Sequence, residues 1–342
     1  MKVFRIIASF FYAIGVWVRN LLYDEHLFYS STVNIPTICV GNLAVGGTGK
    51  TPHTEYIISL LKDHYRIAIL SRGYKRHTKG YVLAGDNDDA TTIGDEPMQM
   101  HLKFPDVPLA VCENRIKGIQ HLKQDCQNLQ VIILDDAFQY RRLRPSLSIL
   151  ITEADNLYIN DHYLPWGKLR DNIDQSLRAD IIIVSKCPEK MQPIDKRVIE
   201  TSLHLPTYQH LYFSSIRYKE LIPAFPECKP IPERSKDYPL VLSGIENPKP
   251  MFDYVRSLYP YAELMAFPDH HTFRKKDIDL ILTSPYIITT EKDITRLRTL
   301  SFYPDELKEK TYILPIEVDF KNQEEQFNNQ ILSHVKENNR NR

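Results

Sequence analysis

The stretch VGNLAVGGTGKT, residues 40–51, decides the fold that this sequence predicts. It overlaps the end of the apolar run TICV and approaches the phosphate-binding pattern G-x-x-x-x-G-K-[ST], with Ala44 in the place of the first glycine. Small residues allow backbone N–H groups to turn towards a phosphate, and the start of a following helix favours negative charge. Because a strand precedes the stretch and a helix follows it, we expect a P-loop rather than an ordinary glycine-rich turn.

This loop supplies the candidate nucleotide contacts. The predicted nucleotide-binding residues are Gly46, Gly47, Thr48, Gly49, Lys50 and Thr51. In such loops the lysine bridges the β- and γ-phosphates and the final hydroxyl binds Mg²⁺, so Lys50 is a candidate catalytic charge and Thr51 a candidate metal ligand. A nucleotide switch hydrolyses its nucleotide, whereas a kinase passes the phosphate to a second substrate. The loop alone is compatible with both.

Length and composition limit the remaining possibilities. The chain has 342 residues, which exceeds a typical single domain and predicts two domains. Its 43 basic residues equal its 43 acidic residues, so we expect no nucleic-acid partner. Scattered cysteines without a C-x-x-C pair argue against a disulfide framework and a zinc site, and they are typical of reduced cytosolic thiols. No uninterrupted apolar run reaches the ~18 residues that span a bilayer.

Residues 1–23 form an amphipathic pattern at helical spacing. One side carries Val3, Ile6, Ile7, Phe10, Ile14, Trp17, Val18 and Leu21, and the other carries Lys2, Arg5, Ser9, Tyr12, Arg19 and Asn20. Basic flanks together with Phe and Trp favour a helix that lies on a membrane surface. Two alternatives stay open: a helix packed on its own domain, and a signal peptide, for which a clear small-residue cleavage site is missing.

Short apolar runs alternate with helical patterns along the first two thirds of the chain. The runs are TICV at 37–40, RIAIL at 66–70, PLAV at 108–111, VIIL at 131–134, LSILI at 147–151 and DIIIV at 180–184. This alternation predicts an α/β fold with a mostly parallel sheet and helices on both faces, of the P-loop NTPase type. Ligands of such sheets bind at the carboxyl ends of the strands.

The pattern changes after residue 206, and we expect a domain boundary there. The strand-like segment TYQHLYFSSIRY is followed by the proline-rich IPAFPECKPIPER, which breaks regular structure. The predicted organisation is a membrane-associating helix at 1–23, a P-loop domain at 24–206, a two-stranded connection from 207–220 and 311–320, a smaller α/β domain at 221–310, and a C-terminal segment at 321–342 with a disordered tail.

Acidic residues and histidines supply the other candidate groups. Asp135 and Asp136 end the apolar strand VIIL and resemble a Walker B element, so we expect them, with Thr51, to hold Mg²⁺; solvated acids at a strand end are the alternative. Asp95 is equally compatible with a simple helix-dipole charge and with a catalytic role. His270 lies beside Asp269 and His271 in one loop, and a histidine beside a carboxylate is how a base is oriented.

Two basic clusters follow predicted strands, at the edge where a nucleotide would bind. They are Arg72, Lys75, Arg76 and Lys79 in SRGYKRHTK, and Arg141, Arg142 and Arg144 in YRRLR. A solvated loop is the default for such residues, but arginine forks at this edge would suit a second anionic substrate such as a phosphorylated sugar.

The motifs taken in order resemble the tetraacyldisaccharide 4'-kinase family of lipid A biosynthesis. They are VGNLAVGGTGKTP, LSRGYKR, GDEP, ENR, LDDAFQYRRL, LPWGKLRD, LSGIENP, FPDHHTF and TTEKD. The resemblance as a whole runs from about residue 1 to about residue 320. The chain departs from the family pattern at Trp166, Lys168 and Asp171, where members read closer to LPAGPLRE, and at Tyr140, where many members have His.

The resemblance implies transfer of the γ-phosphate of ATP, with Mg²⁺, to the 4'-hydroxyl of a tetraacylated glucosamine disaccharide 1-phosphate. It implies a peripheral enzyme on the cytoplasmic face of the inner membrane, with the acylated disaccharide and the membrane surface as partners. Asp95 of GDEP and His270 of the PDH motif then act on the hydroxyl, with His270 preferred to His271 by motif position. Arg72, Arg115 and Arg170 are the implied contacts to substrate phosphate.

The strongest alternative is a membrane-associated P-loop ATPase switch. Such proteins resemble KGGTGKT, and this chain has Val45 where they have the first lysine. The additional C-terminal domain also disfavours a switch. A GTP-dependent regulatory module would require a base-reading N-K-x-D motif, which VSKCPEK at 184–190 resembles only loosely.

Overall fold

The structure is a computed structural model, and it describes residues 2–233 and 237–340. The helices are Lys2–Asp24 (α1), Lys50–Lys62 (α2), Ala90–Ile93 (α3), Asp95–Lys103 (α4), Arg115–Asp125 (α5), Pro193–Leu203 (α6), Lys249–Leu258 (α7), Lys275–Ile281 (α8), Glu291–Arg298 (α9), Asp305–Lys308 (α10) and Glu324–Arg340 (α11). The strands are Thr37–Gly41 (β1), Ile67–Ser71 (β2), Val82–Leu83 (β3), Leu109–Val111 (β4), Val131–Asp135 (β5), Leu147–Glu153 (β6), Ile181–Ser185 (β7), His210–Phe213 (β8), Ser215–Tyr218 (β9), Ile222–Pro223 (β10), Pro239–Ser243 (β11), Glu263–Ala266 (β12), Tyr286–Thr289 (β13), Thr311–Ile313 (β14) and Ile316–Asp319 (β15).

An eight-stranded sheet forms the centre of the large domain, in the order β3-β4-β2-β5-β1-β6-β7-β8. Its strands are parallel except for the short edge strand β3, which runs antiparallel to β4. Strands buried on both faces need apolar residues at every position, which is why they read as continuous aliphatic runs in the sequence. The predicted mostly parallel α/β sheet is confirmed.

The second sheet has five strands in the order β10-β14-β13-β11-β12 and forms the small domain. Only β10 is antiparallel to its neighbour. One face packs Leu240, Ile287 and Leu297 into a core, and the other packs Val241 and Ile288. Residues 234–236, inside the region predicted for this domain, lie outside the described residues.

A separate two-stranded antiparallel sheet of β9 and β15 connects the domains, as the sequence predicts. Its two strands are shorter than the predicted segments 207–220 and 311–320, because only residues 215–218 and 316–319 pair. The strand predicted over 207–218 divides at Ser214, whose N–H donates to the Val184 carbonyl, so that β8 joins the large sheet. The strand predicted over 310–320 divides before Pro315, because proline has no N–H to continue a ladder.

The C-terminal segment corrects the predicted disordered tail. Residues 336–340 belong to α11, and only the last two residues of the predicted tail, 341 and 342, lie outside the described residues. Phe327, Ile331 and Val335 recur at the spacing of one helix face and are fully buried against the large sheet. That burial gives the segment a stable place on the large domain.

Helix α1 contacts the large domain through its polar side. Asn20 is buried and donates from Nδ2 to Asp171 Oδ1 at 2.7 Å, and the Ser9 hydroxyl donates to the Tyr163 carbonyl. The apolar side is exposed, with Phe10 63% and Trp17 55% accessible. By length and average composition the helix is apolar enough to cross a membrane. No uninterrupted apolar run within it reaches the ~18 residues that span a bilayer. The helix is thus packed on its own domain, as one alternative had it, but through its polar side, and its apolar side stays exposed.

Candidate active site

The P-loop connects β1 to α2 and lies at the carboxyl end of the large sheet. Gly46 has φ 111° and Gly49 has φ 88°, a left-handed region that residues with a Cβ rarely adopt. The loop is held from inside the protein, because Asn42 Nδ2 donates to Thr48 Oγ1 at 2.8 Å and Ser185 Oγ donates to the Thr48 carbonyl at 2.8 Å. These internal hydrogen bonds hold the loop in a phosphate-binding type of conformation.

His53 supports this loop from the first turns of α2. Its Nδ1 donates to the Gly49 carbonyl at 2.7 Å, so the opposite Nε2 must accept the hydrogen bond from the Ser214 hydroxyl at 2.8 Å. Burial lowers the pKa of His53 to about 4, which agrees with a neutral ring. The ring connects the P-loop to the residue between β8 and β9, where the chain leaves the large sheet.

Asp135 ends β5 and Asp136 follows it, beside the P-loop. Asp135 is buried, and Oδ2 accepts a hydrogen bond from Ser71 Oγ at 2.9 Å. Burial raises its pKa, and the carboxylates of Glu96 and Asp136 raise it further. Burial alone would also raise the pKa of Asp136, but the charges of Lys50 and Arg170 lower it to about 2. Lys50 therefore contributes positive charge to the two acids, as expected for a lysine between acids and phosphate.

The candidate metal ligands suit Mg²⁺ by their chemistry. Thr51 supplies a hydroxyl and Asp135 and Asp136 supply carboxylates, the hard oxygen donors that this ion takes, usually with water and substrate phosphate completing its shell. Within the described residues there is no group of three or more His, Cys, Asp or Glu side chains that could hold an ion by themselves.

The three arginines expected at substrate phosphate differ in the exposure of their side chains and in their ion pairs. Arg170 is ion-paired with Asp136, with Nη1 donating to Oδ2 at 3.1 Å. Arg115 is 2% exposed and donates to the backbone carbonyl of Cys112 at 3.2 Å. Arg72 is exposed at the end of β2, and its side chain has no ion-pair partner among the described residues. Arg72 is thus the one most accessible to a ligand.

Asp95 and His270 meet across the domain boundary. Asp95 begins α4 of the large domain, and His270 lies in the loop after β12 of the small domain. His270 Nδ1 donates to Asp95 Oδ2 at 2.8 Å. Burial alone raises the pKa of Asp95, but the hydrogen bond from His270 and the charge of Arg296 outweigh it and lower the pKa. The pair is an oriented imidazole on an ionised carboxylate, an arrangement suited to accepting a proton.

Two cations of α9 complete this contact. Lys292 Nζ lies 3.4 Å from His270 Nε2, and Arg296 Nε lies 3.7 Å from Asp95 Oδ2. A lysine ammonium only donates, so the nitrogen of His270 that faces it carries the lone pair when the ring is neutral. Lys292 belongs to the TTEKD motif, but its role cannot be read from the sequence because its partners lie on other elements.

His271 points into the small domain instead. Its Nε2 lies 2.9 Å from Asp277 Oδ2, and its ring stacks on Phe267 with a centroid separation of 4.4 Å. Only His270 of the two histidines contacts Asp95.

Other residues singled out in the sequence have structural partners. Asp171 is fully buried, and its carboxylate accepts hydrogen bonds from Asn20 and Arg19 of α1. Tyr140 donates to Asn114 Oδ1 at 3.1 Å. Among the basic clusters, Arg76 pairs with Glu113 at 2.6 Å and Arg141 pairs with Asp24 at 2.6 Å. These two arginines form ion pairs within the protein rather than face a ligand.

Comparison with known proteins agrees with this geometry. A family profile described as Tetraacyldisaccharide-1-P 4'-kinase matches residues 1–336. Proteins named tetraacyldisaccharide 4'-kinase from Bacteroides thetaiotaomicron and Parabacteroides distasonis are 44% and 47% identical to this chain, and the matches cover 97% and 96% of it and 93% of each relative. The crystal structure of the "apo" form of LpxK from Aquifex aeolicus in complex with ATP has a TM-score of 0.72 at 27% identity, covering 96% of this chain and 98% of that one. The resemblance seen in the motifs is confirmed, and the chain belongs to the tetraacyldisaccharide-1-P 4'-kinase family.

Proposed function

We propose that this protein transfers the γ-phosphate of ATP to the 4'-hydroxyl of a tetraacylated glucosamine disaccharide 1-phosphate, the reaction of lipid A biosynthesis. The observation that carries the proposal is the 2.8 Å contact between His270 of the small domain and Asp95 of the large domain. An imidazole that is oriented by a carboxylate can accept the proton that a substrate hydroxyl must lose during transfer. A switch that only hydrolyses ATP needs no second domain to provide it.

In the proposed reaction the bond between the γ-phosphorus and the bridging oxygen to ADP breaks, and a bond from the sugar oxygen forms. The hydroxyl proton leaves to the Asp95–His270 pair, with the imidazole as the acceptor and the carboxylate as its orienting partner. Lys50 and the N–H groups of the P-loop hold the phosphates and stabilise their charge. Bound Mg²⁺, held by Thr51 and by Asp135 or Asp136, would neutralise charge on the same oxygens.

The acceptor is a phosphorylated sugar, and Arg72 is the arginine that we propose for its phosphate. Its exposed guanidinium follows β2, at the same sheet edge as Asp135. A planar guanidinium forms two parallel hydrogen bonds to phosphate, which a lysine cannot reproduce. Arg115 and Arg170 would then act indirectly, by fixing the loop of Asp136.

We propose that α1 places the enzyme on the cytoplasmic face of the inner membrane, without spanning it. Its polar side is attached to the large domain through Asn20 and Arg19, which leaves the apolar side free to enter the lipid interface. Arg19 of the polar side is paired with Asp171 at 2.8 Å and is therefore directed to the protein. An acylated substrate is confined to the bilayer, so an enzyme attached at the interface meets it directly.

Replacing Phe10, Trp17 and Leu21 together by serine tests this attachment. Burying one such side chain contributes roughly 1.5–3 kcal/mol, so the triple variant should stay folded but lose most co-sedimentation with anionic vesicles. Transfer should fall mainly through a higher KM for lipid. Unchanged vesicle binding would contradict the proposed role of α1.

The direct test of function is transfer of labelled γ-phosphate from ATP to the 4'-dephosphorylated disaccharide in detergent. We expect labelled lipid in the presence of Mg²⁺, with little ADP formed when lipid is omitted. ADP formation at the same rate with and without lipid, and no labelled lipid, would favour the ATPase switch.

A further inference from the structure

A carboxylate of the small domain occupies the mouth of the P-loop. Glu246, in the loop between β11 and α7, accepts a hydrogen bond from the backbone N–H of Gly47. A Cβ built on Gly46 would lie 2.5 Å from Glu246 Oε2, so the carboxylate is in close contact with two consecutive residues of the loop. Inward-turned N–H groups of a P-loop bind phosphate oxygens, and a carboxylate oxygen offers the same negative, acceptor-only chemistry.

Lys168 holds this carboxylate from the opposite side. Its Nζ lies 2.6 Å from Glu246 Oε1. Lys168 belongs to the large domain, and its backbone carbonyl accepts from the Val45 N–H at 2.8 Å, while Ala44 and Leu169 form an antiparallel bridge. The backbone of Lys168 is therefore held at the rim of the P-loop by contacts that do not involve Glu246, and its side chain reaches the carboxylate from there.

Glu246 and a nucleotide phosphate compete for the same donors. The carboxylate engages both the Gly47 N–H and the Lys168 ammonium, so a phosphate that binds these two groups must replace it.

We propose that Glu246 occupies a phosphate position of the P-loop when no nucleotide is bound, and that Lys168 then exchanges this carboxylate for phosphate of ATP. Lys168 thereby becomes a further nucleotide-binding residue, and Glu246 an internal competitor of ATP. The inference rests on the proposed function in that it takes ATP as the ligand of the P-loop.

The exchange links nucleotide binding to the position of the small domain. Glu246 reaches the P-loop only while the small domain lies against the large one, so entry of ATP has to break this contact. The His270–Asp95 contact lies on other elements and does not involve Glu246. Glu246 would thus compete with other anions for this part of the P-loop until ATP binds.

Equilibrium binding measures the competition without any transfer reaction. Glu246→Gln keeps the size of the side chain and removes its charge, so we expect it to bind ATP roughly three- to tenfold more tightly than the wild type, since a half-exposed ion pair contributes modestly. Inorganic tripolyphosphate carries no base or sugar. Its affinity for the Glu246→Gln variant should exceed its affinity for the wild type by the same factor. Unchanged affinity of Glu246→Gln for both probes would overturn the proposed competition.

The role of Lys168 is measured in the Glu246→Gln background. Adding Lys168→Met should weaken ATP binding by about tenfold, because a hydrogen bond from a charged donor to phosphate is lost. Lys168→Arg should retain most of the affinity. If Lys168 only holds Glu246, the Met variant will bind as tightly as Glu246→Gln alone, and the proposed phosphate contact is wrong.

Glu291→Gln is the matched control for a general loosening of the domains. Glu291 of α9 pairs with Lys103 of α4 at 2.8 Å, and it also joins the two domains. We expect its ATP affinity to equal that of the wild type; an equal gain would assign the effect to loosening and overturn the competition. Wild-type protein that binds no ATP at all would contradict the proposed function itself, which separates the two failures.

Discussion

The P-loop and the Asp95–His270 contact differ in how far apart their residues lie in the sequence. The P-loop consists of consecutive residues between β1 and α2, and its internal bonds come from the large domain. Asp95 and His270 are 175 positions apart and belong to different domains. The first region can keep its conformation when the domains separate, whereas the second exists only while they are together. Changes in the first should therefore affect nucleotide binding and transfer, and changes in the second should affect transfer alone.

The largest effect is expected for Lys50→Ala. It removes the charge between the acids and the phosphates, in a reaction whose catalysis is mostly electrostatic, so transfer should fall by roughly 10³- to 10⁵-fold. Lys50→Arg, which keeps the charge but not the point geometry, is the control and should recover only part of the rate. Near-normal turnover of the Ala variant would show that the loop is not the phosphate site.

Asp95→Ala and His270→Ala should each lower turnover by roughly 10²- to 10⁴-fold, the range for loss of acid-base assistance. ATP affinity, measured separately, should stay close to that of the wild type. The double variant should be little worse than the worse single variant, because residues that act as one unit are not additive. Fully multiplicative losses would mean that the contact across the domains has no joint role.

His53→Phe tests how independent the P-loop is of the region between the domains. The change keeps an aromatic ring but leaves the Gly49 carbonyl and the Ser214 hydroxyl without their partner, so we expect about 1–3 kcal/mol lower stability and several-fold weaker ATP binding. Chemical denaturation and nucleotide titration measure the two effects. Ser214→Ala removes only the second bond and should weaken ATP binding less. Equal losses in both variants would show that the loop depends on the connection between the domains.

The smallest effect is expected for His271→Ala. Its partners are Asp277 and Phe267 of the small domain, so the change should lower stability by about 1 kcal/mol and leave turnover within roughly threefold of the wild type. Thermal unfolding and steady-state kinetics test this. A loss of turnover as large as that of His270→Ala would reverse the assignment of the two histidines.

The two terminal helices show which part of the fold a periodic pattern predicts. The apolar residues of α1 and α11 both recur at helical spacing, yet those of α11 are buried and most of those of α1 are exposed. Periodicity identifies a helix and its apolar side, but the side that faces the protein depends on what the rest of the chain offers. For α1, the rest of the chain provides the buried carboxylate of Asp171, which binds Asn20 on the polar side of the helix.

The sequence by itself determined the features whose causes are local. A parallel strand buried on both faces must be apolar throughout, and a loop that turns N–H groups inward must be small and glycine-rich, so both can be read from consecutive residues. The joint role of Asp95 and His270 was implied only by the family resemblance, and their direct hydrogen bond appears only in the tertiary structure. The tertiary structure alone decided that Lys292 lies beside this histidine and that Glu246 meets Lys168 at the P-loop. The physical reason is that a side-chain contact depends on the relative positions of two domains, which no spacing within one segment encodes.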